Sequence, residues 1–218
     1  MTGASARCRA AILISGGGTN LQAFIDAVRG GTLDLDIAVV ISNRADAYGL
    51  TRASQAGIET VCIPHKDFDS RDAFDAALAE GIDAYAPDIV ILAGFMRILT
   101  ARFVRRYQGR LLNIHPSLLP LYPGLDTHRR ALEAGDRWHG STVHFVTEEL
   151  DGGPRIIQGR VPVRPDDDAD SLAARVLEVE HRIYPLAAGW LAAGRLVLCD
   201  GKAVLDGREL SEPYQYGG

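Results

Sequence analysis

The sequence predicts an α/β protein: a doubly wound, mostly parallel sheet with an antiparallel C-terminal part. Three observations predict it. Short apolar runs alternate with amphipathic stretches from residue 10 to residue 115, the pattern of strand–helix–strand units with right-handed crossovers. A glycine-rich loop, Ser15-Gly16-Gly17-Gly18-Thr19-Asn20, joins the first run to the first helical stretch. Past residue 138, two strand-like runs are separated by the turn-rich segment Glu148-Glu149-Leu150-Asp151-Gly152-Gly153-Pro154, and pair most simply as antiparallel neighbours.

Taken in order, Ala10–Ile14 is short, continuously apolar and broken by glycine, as a buried strand should be. Leu21, Phe24, Ile25 and Val28 then recur at helical spacing. A strand, a glycine loop and a helix start aim backbone N–H groups and the positive end of a helix at one spot, where an anion is at home. The loop has neither the Lys of a P-loop nor the third glycine of a dinucleotide fingerprint, since Leu21 stands there. It reads as a phosphate monoester cradle, with a ligand-free tight turn as the alternative. A second strand spans 37–42, a helix from about 46 to 56 ends at Gly57, and 59–63 is a third strand. Asp69 or Ser70 caps the next helix. Arg71 in its first turn is poorly placed against the helix dipole, so it is either an exposed surface arginine or the receiver of a carboxylate.

The most apolar strand, 88–93, runs into Gly94-Phe95-Met96-Arg97-Ile98-Leu99, an odd loop to expose unless it lines an apolar pocket with one charged partner. Thr100 caps a helix through Tyr107 whose arginines form a solvated face. Leu111-Leu112-Asn113-Ile114-His115-Pro116 is then a strand ended by proline. Asn113 and His115, two apart, project to one side, with Ile114 turned to the core. An amide donor beside an imidazole suits a centre where negative charge builds on oxygen while a proton moves. Ligands of doubly wound sheets sit beyond the carboxyl ends of strands where strand order reverses. If the first and fourth strands are neighbours, the glycine loop, the 96–99 loop and the Asn113/His115 pair are expected at one cleft.

Asp151 is either a turn former or a carboxylate partner for His115. The cluster Asp166, Asp167, Asp168 and Asp170 reads as a solvated helix-capping loop, with a metal site as the alternative. In the helix from Asp170 to about Tyr184, Glu180 falls inside the apolar face, so it must satisfy a neighbour or hold a ligand. Pro185 is expected to break or kink that helix, a further helical piece runs to Gly194, and 196–199 with 202–205 make a hairpin before a frayed glycine-rich end.

Composition narrows the function. The 218 residues fit one domain, 1–218, with a parallel half at about 10–115 and a second half at about 116–218. A net charge of −5 argues against nucleic acid as the main partner. Cys8, Cys62 and Cys199 offer neither a disulfide framework nor a metal spacing, which points to a reducing compartment. The 10–14 run is too short for a signal peptide or a membrane span, so the protein is expected to be soluble and cytoplasmic.

The chain resembles, essentially end to end, the glycinamide ribonucleotide formyltransferases, folate-dependent formyltransferases of purine biosynthesis with a Rossmann-like fold. The resemblance is carried by Ala93-Gly94-Phe95-Met96-Arg97-Ile98-Leu99, Leu112-Asn113-Ile114-His115-Pro116-Ser117-Leu118-Leu119-Pro120 and Glu149-Leu150-Asp151-Gly152-Gly153-Pro154. It implies formyl transfer from N10-formyltetrahydrofolate, as co-substrate, to the amine of glycinamide ribonucleotide, with no metal, no nucleic acid and no membrane, in a monomer or homodimer. It implies that Asn113, His115 and Asp151 are catalytic, and that Gly18, Thr19, Asn20 and Glu180 hold the ribonucleotide. Arg71, Met96, Arg97, Ile98, Leu99 and Asn113 would contact the folate, with the 147–151 loop over its pterin. The loop reads Gly-Gly-Gly-Thr-Asn where relatives often have Gly-Asn-Gly-Ser-Asn, and Thr keeps the hydroxyl. Alternatives are a formyltetrahydrofolate hydrolase, which shares the Asn, His and Asp set on a longer chain, and a non-catalytic folate- or nucleotide-binding module.

Overall fold

The computed structural model describes residues 7–217, and its chain divides into two compact units, Met1–Arg97 and Ile98–Gly218. The α/β class is found.

The first unit is a parallel sheet of β1 (Arg9–Ile14), β2 (Asp36–Ser42), β3 (Thr60–Cys62) and β4 (Ile89–Leu92), in the order β4-β1-β2-β3. Ala10 to Ile14 are all fully buried, as their unbroken apolar run demands. Its helices are α1 (Thr19–Arg29), α2 (Tyr48–Gln55) and α3 (Arg71–Asp83). Ser70 is the cap of α3, accepting from the Ala73 N–H at 3.1 Å. Because β1 lies between β2 and β4, strand order reverses there. The glycine loop leaves the carboxyl end of β1 and the 94–97 segment leaves that of its neighbour β4, so both sit at the switch point.

The second unit opens with α4 (Ala101–Arg106), whose cap Thr100 accepts from Phe103 N. Next come β5 (Leu111–His115), α5 (Thr127–Glu133), β6 (Trp138–Phe145), β7 (Arg155–Pro162) and α6 (Ala169–Ala192). β5, β6 and β7 form an antiparallel meander, with Asn113 opposite His144 and His115 opposite Thr142. α6 lies close over β7, since a Cβ on Gly159 would stand 2.1 Å from Val179 Cγ1. The expected hairpin is β8 (Leu196–Cys199) with β9 (Lys202–Leu205), extended by β10 (Arg208–Glu209) into a small antiparallel sheet.

Pro185, expected to break or kink its helix, does not break it: α6 runs through it, 24 residues in all. The proline costs about 3 kcal/mol of helix propensity. Ile183, Tyr184, Ala187 and Ala188 around it are fully buried, and Tyr184 Oη donates to Leu112 O at 3.0 Å, so packing outweighs that cost. The glycine-rich end, expected to fray, is paired up to Tyr216, and Gly218 lies outside the described residues. Residues Tyr214–Tyr216 form β11, parallel to β7, and the Tyr214 ring meets Trp190 edge-on at 5.4 Å. The acidic cluster is indeed a cap: Asp168 and Ser171 close a capping box, and Asp167 pairs with Arg175.

Candidate active site

In the first unit the glycine loop is held from behind. Gly18 has φ +70°, and a Cβ there would stand 2.6 Å from the Gly49 Cα. Gly49 N donates to Gly16 O at 3.0 Å, and Arg52 Nε donates to Gly17 O at 2.8 Å. The carbonyls are thus tied to α2. Cβ atoms on Gly16 or Gly17 would meet nothing within 4 Å. Thr19 and Asn20 open α1, where the first-turn amides have no acceptor inside the helix. Loop carbonyls held behind and a helix start in front suit a phosphate.

Ser15 ties the neighbouring segment in place. Its hydroxyl donates to Asn43 Oδ1 at 2.6 Å and accepts from Met96 N at 2.8 Å. Met96 and Ile98 are 68% and 57% exposed, an unusual display of apolar surface. Arg97 lies 5.9 Å over the Phe74 ring of α3, and its buried Nε has no hydrogen-bond partner among the described residues. Arg71 is exposed, one helical turn before Phe74, so both cations border the same turn of α3. Leu99 is half-buried.

In the second unit, Asn113, His115 and Asp151 are brought together by a residue that sequence reasoning passed over, His144. Asp151 adopts φ +53°, which Asp tolerates, and its side chain is only 7% exposed. Its Oδ2 accepts from Gly124 N at 2.9 Å and lies 3.5 Å from His115 Nδ1. Its Oδ1 lies 3.9 Å from His144 Nε2. His115 Nε2–H donates to Tyr122 O at 2.8 Å, so a proton arriving on Nδ1 meets a carboxylate.

The tautomer of His144 follows from its neighbours. Burial pushes its pKa below the ordinary histidine value, so the ring is neutral. Nδ1 lies 2.9 Å from Phe145 O, which can only accept, so Nδ1 carries the proton. Nε2 is then an acceptor, and Asn113 must present its amide nitrogen to it, at 3.2 Å. That amide has two N–H bonds, one for His144 and one to offer elsewhere. Buried carboxylate, imidazole and aimed amide together can receive a proton and stabilise a nascent oxyanion.

Against this geometry the comparisons are direct. A family profile described as formyl transferase matches residues 8–188. The chain belongs to that family. A phosphoribosylglycinamide formyltransferase of Escherichia coli strain K12 is 58% identical over 199 residues, which cover 91% of this chain and 94% of that relative. The enzyme of the same name from Haemophilus influenzae is 51% identical, over 92% and 94% of the two chains. A solved phosphoribosylglycinamide formyltransferase from Coxiella burnetii superposes with a TM-score of 0.93 at 51% identity, over 96% of this chain and 99% of that one.

The last predicted residue of this formyl transferase, Glu180, is buried on α6 and has a partner: Ser141 Oγ lies 3.1 Å from its Oε1. Neither Ser141 nor His144 stood out in the sequence, because each is placed by the register of β6. Among the described residues no group of three or more His, Cys, Asp or Glu side chains could hold a metal ion. Among them, no helix is long and apolar enough to cross a membrane.

A second imidazole pair near the cluster is expected to make the fold acid-sensitive. His139 is 1% exposed, its Nε2 lies 3.1 Å from His128 Nδ1, and burial, with His128 adding, pushes its pKa down to about 4. The folded value lies below the unfolded one, so the unfolded chain binds more protons as pH falls. The stability is present above about pH 6.5 and is lost on the way to about 4. Urea unfolding at pH 7 and pH 4.5 should show His139→Gln losing about 1–2 kcal/mol less than the parent over that interval. Equal losses would clear His139 of the effect.

Proposed function

We propose that the protein transfers a formyl group from N10-formyltetrahydrofolate to the amine of glycinamide ribonucleotide, as a phosphoribosylglycinamide formyltransferase. The observation that carries the reading is the Asn113–His144–Asp151–His115 cluster, a half-buried amide on buried side chains, in a chain of this family. Gly18, Thr19 and Asn20 are read as holding the ribonucleotide phosphate, and Glu180 as gripping its ribose or amine end. Met96, Arg97, Ile98, Leu99 and Asn113 are read as the folate contacts, with Arg71 taking its glutamate carboxylate. Two features suit a folate: exposed apolar side chains at Met96 and Ile98, and an Arg97 Nε without a partner among the described residues.

The amine adds to the formyl carbon, and negative charge builds on the formyl oxygen. Asn113 offers that oxygen its second N–H, a contribution of about 10²–10³ in rate for one such donor. His115 and Asp151 pass the amine proton towards the departing folate nitrogen, and Asp151 balances the charge that His115 carries meanwhile. Because His144 fixes the amide nitrogen of Asn113, the donor is set before the substrates arrive. Absorbance of a formylated folate, followed with and without glycinamide ribonucleotide, tests the reading. Deformylation is expected only with the ribonucleotide and in matching stoichiometry. Deformylation without it would make water the acceptor and the protein a hydrolase.

A further inference from the structure

Ser141 has no role in the chemistry above, yet it lies between two groups that do. It is fully buried on β6, opposite Gly159 of β7. Its Oγ stands 2.8 Å from His115 O and 3.1 Å from Glu180 Oε1. A hydroxyl has one proton to give, and both neighbours accept. The His115 carbonyl also accepts from Ser117 N at 2.8 Å, so it is satisfied without Ser141. The Ser141 proton can therefore serve the Glu180 carboxylate, where a charge-assisted bond is stronger than one to a carbonyl. Glu180 projects from a helix and His115 ends a strand; this hydroxyl touches both.

We propose that Ser141 is a positioning residue for the ribonucleotide, holding the Glu180 carboxylate in one rotamer beside the His115 strand end. The proposal rests on the reading of Glu180 as a substrate contact. It makes Ser141 act through Glu180 on binding, and leaves the proton-handling groups alone.

The test is a steady-state comparison of Ser141→Ala, Ser141→Val and Ser141→Thr in the full chain, with both substrates varied. Ala and Val should each raise KM for glycinamide ribonucleotide about tenfold, the scale of one hydrogen bond to a charged group. The values of kcat and of KM for the formyl folate should stay within about twofold. Thr restores the hydroxyl and should return KM to within about threefold of the parent, whereas Val, with the same shape and no hydroxyl, should not. In a Glu180→Ala background, Ser141→Ala should add less than about twofold, because the acceptor it orients is gone. Val matching Thr, a loss confined to kcat, or full additivity with Glu180→Ala would overturn the proposal. A parent enzyme without ribonucleotide-dependent turnover would overturn the functional reading first, and the proposal with it. Normal parent turnover with an unaltered Ser141→Ala variant would overturn the proposal alone.

Discussion

Asp151→Asn is expected to lower kcat by about 10²–10⁴-fold, the range of a lost acid–base partner, with both KM values changed by less than about threefold. The substitution isolates charge. Asn tolerates the φ of +53° at this position, and its carbonyl oxygen can still accept from Gly124 N. What disappears is the carboxylate 3.5 Å from His115 Nδ1 and 3.9 Å from His144 Nε2. A proton taken up by His115 then has no counter-charge, and the amide does not accept a proton in turn at neutral pH. The residues read as substrate contacts are untouched, so binding should survive. Single-turnover and steady-state rates with saturating substrates measure the effect. Turnover within tenfold of the parent would remove Asp151 from the chemistry and leave it a loop-forming residue.

The residues read as functional differ in how far the sequence discloses them. The glycine loop and the Asn113/His115 pair are local patterns: a strand alternates sides every residue, glycines mark a turn, and helical spacing marks α1. Glu180 is legible for the same reason, because a helical period places it among apolar neighbours. Asp151 is half legible, as an acid beside two glycines that turns or catalyses. His144 and Ser141 are not legible. Their partners lie 31 and 39 residues away, and only the antiparallel register that sets Asn113 opposite His144 brings the first contact about. A slip of one residue would turn His144 to the other face.

The same distinction explains the failures in the fold. Proline disfavours a helix interior by local chemistry, but Ile183, Tyr184, Ala187 and Ala188 are held by burial that no local rule contains. The Gly-rich tail looks frayed until Tyr214–Tyr216 finds the edge of β7, a pairing across 57 residues. Local physics proposes elements, and long-range packing decides between them.

Gly153→Ala should damage both stability and turnover. A Cβ at Gly153 would stand 1.8 Å from Phe145 O, a backbone atom, and 3.2 Å from Thr147 Cγ2. Phe145 is fully buried and its N–H donates to Pro154 O at 3.0 Å, so the carbonyl cannot yield without disturbing the β6–β7 turn. Overpacking of this kind costs about 1–3 kcal/mol. The carbonyl also accepts the Nδ1 proton of His144, the contact that makes Nε2 the acceptor for Asn113. Moving it frees His144 to take the other tautomer, and Asn113 loses the constraint that aims its N–H. A further fall of about 10²-fold in kcat is expected, measured well below the melting temperature, the scale of a lost oxyanion donor. Gly152→Ala is the control. The three atoms nearest a Cβ there all belong to the side chain of exposed Glu149, the nearest Cδ at 2.4 Å, and that side chain can swing aside. Stability and kcat should stay near the parent in that variant. If Gly153→Ala is as mild as Gly152→Ala, the position of the Phe145 carbonyl does not govern the site, and the aim of Asn113 must be set by something other than His144.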